Sequence, residues 1–248
     1  MENALLIGLS RQMSLRRELD VVANNVANIN TTGFKSDSAI FEEYLMPVAR
    51  HDDFKGRDRR LSYVHDRATW HDMGQGPIKQ TNNPLDVSID GNAFFVVQTP
   101  RGERYTRNGA FQINAQGQLV TSEGYAVLGD GGPVQFQAED RDITIARDGT
   151  VSVPDGGRGR LRLVTFANVQ RLQKDSTSTF AAPADMPPEQ AEFAHVMQGT
   201  LEQSNVKPVV EMARLIEVSR AYTQLATLMQ QHGEIRRSAI ERLAEVPA

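Results

Sequence analysis

The chain has 248 residues, 40% of them apolar, no cysteine, and 27 basic against 31 acidic residues for a net charge of −4. That length buries a core without disulfide staples, and the negative balance supplies no basic field for a phosphate backbone, so no nucleic-acid partner is expected. The opening Met1-Glu2-Asn3 carries an acid where a secretory signal carries Lys or Arg, and no apolar run approaches about 18 residues, so neither a cleaved signal nor a membrane span is expected.

From the start of the chain, Leu5, Gly8, Gln12, Leu15, Leu19, Val22, Val26 and Ile29 follow one another at steps of three and four. This is the spacing of a helix seam packed on another helix, and it predicts one helix over residues 3–29. Asn24, Asn25, Asn28 and Asn30 compete for the backbone, and Thr31-Thr32-Gly33 adds a β-branched break and a residue free to take positive φ. The helix should stop near residue 30. Asn24 and Asn28, one turn apart, are candidates for hydrogen bonds across a helix pair that fix its register; the plainer reading is a helix end that needs polar side chains.

The cluster Ile40, Phe41, Tyr44 and Leu45 predicts a short second helix ending before Pro47. The charged stretch Arg50 to Arg60 reads as an exposed loop. From Leu61 to about Asn205 the period changes to two: Leu85, Val87 and Ile89 alternate with Asp86, Ser88 and Asp90, which sets an apolar face against a polar one. Turn pairs such as Asp90-Gly91, Asn108-Gly109, Glu123-Gly124 and Asp148-Gly149 separate short strands, the pattern of an antiparallel sheet built from hairpins. Those strands are Phe94–Thr99, Gly102–Thr106, Ala110–Ile113, Tyr125–Leu128, Ile143–Ile145, Val151–Val153 and Arg160–Phe166. The Ser-, Thr-, Ala- and Pro-rich segment Ser176 to Pro188 reads as a surface connection.

After Asn205 the helical period returns. Leu215, Val218, Tyr222, Leu225 and Met229 form a stripe that drifts through Leu228, Ile235 and Ala239 as a straight helix would. Ser204 or Asn205 is positioned to cap its start, Pro208 fits its first turn, and Gly233 weakens it on the way to about Leu243. Leu9, Met13, Ile216, Leu228 and Ile235 lie beside the principal stripes, so each helix offers more than one apolar edge.

Chemical motifs are sparse. His51, His65 and His71 with Asp52, Asp53, Asp66 and Asp72 have no helical ligand spacing and read as solvated loop residues, so no metal site is expected. Asp86 and Asp90 share a face of one strand but stand about 13 Å apart at 3.3 Å per residue, too far for paired-carboxylate glycoside hydrolysis. No nucleophile elbow, phosphate loop or dinucleotide fingerprint occurs. Catalytic residues, cofactors and a small-molecule substrate are therefore not expected. The run Gly156-Gly157-Arg158-Gly159-Arg160-Leu161-Arg162 invites a nucleic-acid reading, but the negative charge and the absence of interleaved aromatics favour a hairpin turn entering a strand with arginines on its wet face. Trp70, the only tryptophan, is either an interface anchor or a core residue.

Three blocks resemble a known family: Leu19 to Lys35 with its ANNVANINTTGFK run, Gly76 to Gly129, and Gln198 to Gln230. They are similar to the flagellar axial proteins of bacteria, the rod, hook and hook-associated proteins. The opening MENALLIGLSRQM, the stretch Tyr63 to Pro77 and SNVKPVVEMARLIEVSRAY resemble the proximal rod members more than the distal rod or hook proteins. The chain departs from the family at Ala93, where glycine usually stands, and at Asp175-Ser176, where a glycine is common.

The resemblance implies a structural, non-enzymatic subunit of the basal-body rod. Its fold would be α+β, mainly β: an antiparallel β-rich outer domain over residues 76–204, a linking segment over 36–75, and helices over 1–35 and 205–248 that pair as a coiled-coil-like axial domain. The seam would comprise Leu5, Leu15, Leu19, Val22, Asn24, Asn25, Val26, Asn28, Ile29, Leu215, Val218, Tyr222, Leu225 and Met229. Implied partners are copies of itself, other rod proteins and the flagellar export apparatus, with export to the periplasmic rod by a route that cleaves no signal. Termini that fold only against neighbouring subunits would fit long helices that depend on packing. Competing readings are a β-rich carbohydrate-active enzyme with helical extensions and a secreted binding module that oligomerises through its helices.

Overall fold

A computed structural model of the chain describes residues 2–46, 61–191 and 193–244. The loop expected at Arg50 to Arg60, with His51, Asp52 and Asp53, lies outside the described residues, as do the side chains of Leu5, Tyr44, Leu45, His65 and Asp66.

Helix α1 (Glu2–Ala27) is followed by strands β1 (Asp37–Met46), β2 (Leu61–His71), β3 (Ile78–Gln80), β4 (Val87–Asp90), β5 (Phe94–Thr99) and β6 (Gly102–Thr106). The next strands are β7 (Phe111–Ile113), β8 (Leu119–Thr121), β9 (Ala126–Gly129), β10 (Gly132–Pro133), β11 (Thr144–Ile145), β12 (Thr150–Val153) and β13 (Gly156–Arg160). Strands β14 (Leu163–Thr165), β15 (Gln173–Lys174), β16 (Thr179–Ala181), β17 (Glu189–Gln190), β18 (His195–Gln198) and β19 (Thr200–Glu202) lead to helix α2 (Pro208–Ala244). The chain divides into two compact units. One comprises Met1–Val26, Asp37–Trp70 and Lys207–Ala248; the other comprises Ala27–Ser36 and His71–Val206.

The second unit holds a ten-stranded sheet whose main path runs β15-β16-β6-β5-β9-β8-β7, with β10 on β9, β14 on β5 and β17 on β14. Every described pairing in it is antiparallel, as the recurrent tight turns predict. Strand β5 explains why a core forms on both sides. Phe95 and Val97 enter one cluster with Val87, Phe111, Leu119 and Val127, while Phe94 and Val96 enter another with Tyr105, Phe166 and Phe180. An apolar run that alternates between two cores belongs at the centre of a sheet. Each fully buried phenylalanine contributes about 1.5–3 kcal/mol of hydrophobic stabilisation.

Several expectations are corrected here. The cluster Ile40 to Leu45 lies on β1, hydrogen-bonded to β2, and is not helical. Short apolar runs have no decisive period, and the aromatic and β-branched content suits extended backbone once a partner strand is present. The polar face of β4 is largely covered: Ser88 is fully buried with its Oγ 2.7 Å from Thr200 Oγ1, and Asp86 is buried as well. The segment from Ser176 to Pro188 contains β16, which pairs with β6 and buries Phe180 completely. His71 is buried, edge-on to Phe180 at 6.0 Å, because it ends a strand and does not sit in a solvated loop. The strand expected over Arg160–Phe166 breaks at Leu161 and Arg162, with β13 joining β12 and β14 joining β5. Trp70 is 41% exposed, which removes the core reading.

Candidate assembly site

Helix α1 ends at Ala27, where the asparagine-rich run begins to bond locally. Asn28 accepts the Thr31 amide through its carbonyl oxygen at 3.2 Å and the Thr31 hydroxyl through Oδ1 at 3.0 Å. Helix α2 starts on Pro208, whose missing amide would be unbonded in the first turn anyway. The caps expected at Ser204 and Asn205 do not form. Ser204 Oγ accepts the Val206 amide, and the Asn205 side chain is committed to other backbone groups described below.

Of the seam residues, Leu15, Val22, Asn25 and Val218 are buried, while Leu19, Val26, Leu215, Tyr222, Leu225 and Met229 are half-buried. Asn24 is exposed; Asn28 and Ile29 lie past the end of α1, within the second unit. Inside the first unit three side-chain pairs and one close approach join residues of the two helices. A β-carbon placed on Gly8 would lie 3.3 Å from Met229 Sδ. Gln12 Nε2 donates to Tyr222 Oη at 3.3 Å, Arg214 Nη2 donates to Glu18 Oε1 at 2.9 Å, and Asn25 Nδ2 donates to Glu211 Oε2 at 3.2 Å. Glu18, Arg214 and Glu211 lie outside the apolar stripes, so periodicity gives no sign of the last two pairs. Beside these contacts, Leu9, Met13, Ile216, Leu228 and Ile235 are between 47% and 68% exposed. So much apolar side chain open to water on two helices is a liability unless something covers it.

The second unit carries a feature with no signal in any single stretch of sequence. Glu202, at the end of β19, is 1% exposed. Its Oε1 accepts from Lys35 Nζ at 2.5 Å and from the Gly76 amide at 3.0 Å, and its Oε2 accepts from Arg107 Nη1 at 3.2 Å. Lys35 also donates to the Gly74 carbonyl at 2.7 Å, and Arg107 donates to the Gly91 carbonyl at 2.6 Å with its guanidinium 5.2 Å from the Phe94 ring centre. Burial pushes the Lys35 ammonium below the usual lysine range, opposed by the Glu202 carboxylate, and acts in the same direction on Arg107. Two buried cations thus share one buried anion.

Around this cluster the backbone is tied together. Gly33 donates its amide to the Glu202 carbonyl at 2.8 Å, and Asp72 donates to the Ser36 carbonyl at 2.9 Å. Asn205 Oδ1 accepts the Ser36 amide at 2.8 Å while its Nδ2 donates to the Asp72 carbonyl at 2.8 Å. Lys174 lies with Nζ 3.8 Å over the Phe34 ring centre. The Thr-Gly-Phe-Lys stretch is therefore bonded into the β-rich unit, where a reading from helix periodicity alone saw only a stop signal. At the family departures, Ala93 is fully buried in the core and Asp175 accepts from both Arg101 and Arg104.

Among the described residues no group of three or more His, Cys, Asp or Glu side chains is arranged to hold a metal ion, and no described helix is long and apolar enough to cross a membrane. A cavity of about 640 Å³ is an open cleft lined by residues that include Asn82, Asp142 and Gln198.

A β-rich body joined to long terminal helices with uncovered apolar edges is the build of a structural assembly subunit. Comparison with known proteins specifies which kind. Residues 5–35 match the family described as flagella basal body rod protein, residues 88–153 the flagellar hook protein FlgE/F/G D1 domain, and residues 197–242 the flagellar basal body rod FlgEFG protein C-terminal family. The chain is 42% identical to the flagellar basal-body rod protein FlgF of Caulobacter vibrioides, over 99% of this chain and 100% of that one. It is 34% identical to FlgF of Mesorhizobium japonicum over 98% of both chains, and 29% identical to the rod protein FlgG of Bacillus subtilis over 95% and 97%. The chain belongs to the flagellar basal-body rod protein family, and within it resembles FlgF at full length. It is a structural subunit of the rod in the flagellar basal body.

Proposed function

We propose that this chain is a proximal-rod subunit whose terminal helices pair as a coiled-coil-like axial domain and polymerise with neighbouring subunits to transmit torque from motor to hook. In this arrangement the axial domain is drawn from residues 1–35 and 205–248, of which residues 27–35 and 205–206 belong to the β-rich unit, with 36–75 as the link and 76–204 as the outer domain. The carrying observation is the order of the helix contacts. As the α1 partner advances through Gly8, Gln12, Glu18 and Asn25, the α2 partner retreats through Met229, Tyr222, Arg214 and Glu211. That order supports an antiparallel pairing, with each helix still offering an apolar edge to a neighbour.

Copies of the chain and other rod proteins supply the cover for those edges. The subunit reaches the periplasmic rod through the flagellar export apparatus, with no signal removed, and a chain free of cysteine suits an oxidising compartment. It carries out no catalysis and takes no cofactor. A distal-rod position is the second reading, supported by the similarity to FlgG proteins; the higher identity to FlgF favours the proximal one.

The test is complementation of a strain lacking the gene. The full chain restores swimming and a shortened chain ending at Lys207 does not, although it is still exported. Swimming restored without α2 would remove the axial role.

A further inference from the structure

Glu202 is shared by two cations that serve different parts of the second unit. Arg107 stays wholly within the β-rich body, through Gly91 and Phe94. Lys35 is the only member of the cluster contributed by the segment Ala27–Ser36, which enters that body from outside the sheet. Without Lys35, Glu202 and Arg107 remain as a balanced pair, so the body does not need Lys35 to neutralise its buried carboxylate. Without Glu202, by contrast, two cations are left buried with no counter-charge. The segment has further attachments on either side of Lys35: the Gly33 amide on the Glu202 carbonyl and the Ser36 amide on Asn205. Asn205 in turn binds the Asp72 carbonyl, so three of the four places where the chain enters or leaves this unit, near Ser36, Asp72 and Asn205, are joined together.

We infer that Lys35 is a latch, a positioning residue that holds the segment 27–36 on the β-rich body before assembly, so that the chain enters and leaves that body at one fixed point. This deepens the rod reading and rests on it for the consequence in assembly, while the latch itself is a property of the free subunit.

Hydrogen exchange read by mass spectrometry on the free full-length chain tests it. In Lys35→Met, which keeps the apolar stem, amides of residues 31–36 exchange about tenfold faster or more, the effect of losing a charge-assisted hydrogen bond on local opening. Amides of β5 keep their wild-type rates. Asn205→Ala, which removes hydrogen bonds without disturbing the buried charges, accelerates the same residues and keeps the latch testable if Lys35→Met does not fold. Unchanged exchange at 31–36 in a folded Lys35→Met, or in Asn205→Ala where Lys35→Met does not fold, overturns the latch, as does equal acceleration in β5 or a wild-type segment already exchanging at the unprotected rate. Complementation separates the two readings. Lys35→Met subunits are expected to enter rods poorly where the wild-type gene restores swimming; normal swimming with Lys35→Met removes the assembly consequence, whereas failure of the wild-type gene to restore swimming counts against the rod reading and leaves the exchange result standing.

Discussion

Asn25 holds the Asp37 peptide from both sides: its Nδ2 donates to the Asp37 carbonyl at 2.8 Å and its Oδ1 accepts the Asp37 amide at 2.9 Å. Asn25 is 1% exposed, and its Nδ2 also reaches Glu211. An asparagine amide reproduces a backbone pairing, which is why this member of the asparagine cluster lies inside while Asn24 faces solvent. Asn25→Ala removes both of these bonds from a buried peptide, at a cost of about 2–3 kcal/mol. The expected outcome is faster hydrogen exchange at Asp37 and earlier thermal loss of helix signal. Asn25→Asp should do more damage, because it replaces the donor and buries a charge. If Asn25→Ala melts with wild-type midpoint, the pairing contributes nothing.

Two glycines should respond in opposite directions to alanine. Gly33 has φ +67, and a β-carbon there would sit 2.5 Å from the Arg107 carbonyl carbon and the Asn108 amide nitrogen. Gly33→Ala therefore combines left-handed strain of about 1 kcal/mol or more with a clash against backbone that cannot yield cheaply. Gly233 lies within α2, with nothing within 4 Å of such an atom. Gly233→Ala should stabilise the helix by about 0.5–1 kcal/mol. Circular dichroism melting curves check both signs, and a destabilised Gly233→Ala would mean that the helix needs a bend there.

Acid sensitivity follows from two aspartates beside the three-stranded sheet β11-β12-β13. Arg158 holds the Asp140 carboxyl below the usual range by hydrogen bonding, and the Thr150 amide and hydroxyl do the same for Asp148. Because the folded-state values are depressed, the stabilisation is present above the unfolded value near about 4 and disappears as pH falls through the folded values. Urea midpoints should hold steady near neutrality and fall below about pH 4. Asp140→Asn should lower the neutral midpoint slightly and flatten the acid decline; a decline as steep as in the wild type would assign it to other carboxylates.

Periodicity made the two helices and the centre of the sheet legible: α1 and α2 end within a few residues of where their stripes and stop signals place them, and β5 and β6 lie where their hairpin was read. What it could not show were pairings set by tertiary context. The apolar cluster at Ile40 to Leu45 fits either period, and only β2 makes it a strand. Phe180 looked like part of a loop because its neighbours are Ser, Thr and Pro, yet β6 offered an edge for it to join. Nothing in the sequence marks Lys35, Arg107 and Glu202 as a group, since a buried ion cluster is assembled from positions far apart in the chain. Family resemblance pointed to the Thr-Gly-Phe-Lys stretch without giving its reason, which is the close approach of Gly33 to the Arg107 backbone and the burial of Lys35 against Glu202.

The seam itself is tested by charge. Leu19 and Leu225 are half-buried, at positions that two paired helices would close further once neighbours pack around them. An aspartate at either place puts an unpartnered carboxylate into that closure, while in the free subunit it retains access to water. Leu19→Asp and Leu225→Asp should therefore leave the melting of the β-rich unit within experimental error of wild type and leave export intact, but prevent rod completion. The measurements are swimming in soft agar and the presence of hooks on purified basal bodies. Val22→Asp should differ in kind: Val22 is 1% exposed in the subunit alone, so its replacement should disturb helix content before any neighbour arrives. Normal swimming with Leu19→Asp would show that the half-open edge of α1 is not where subunits meet.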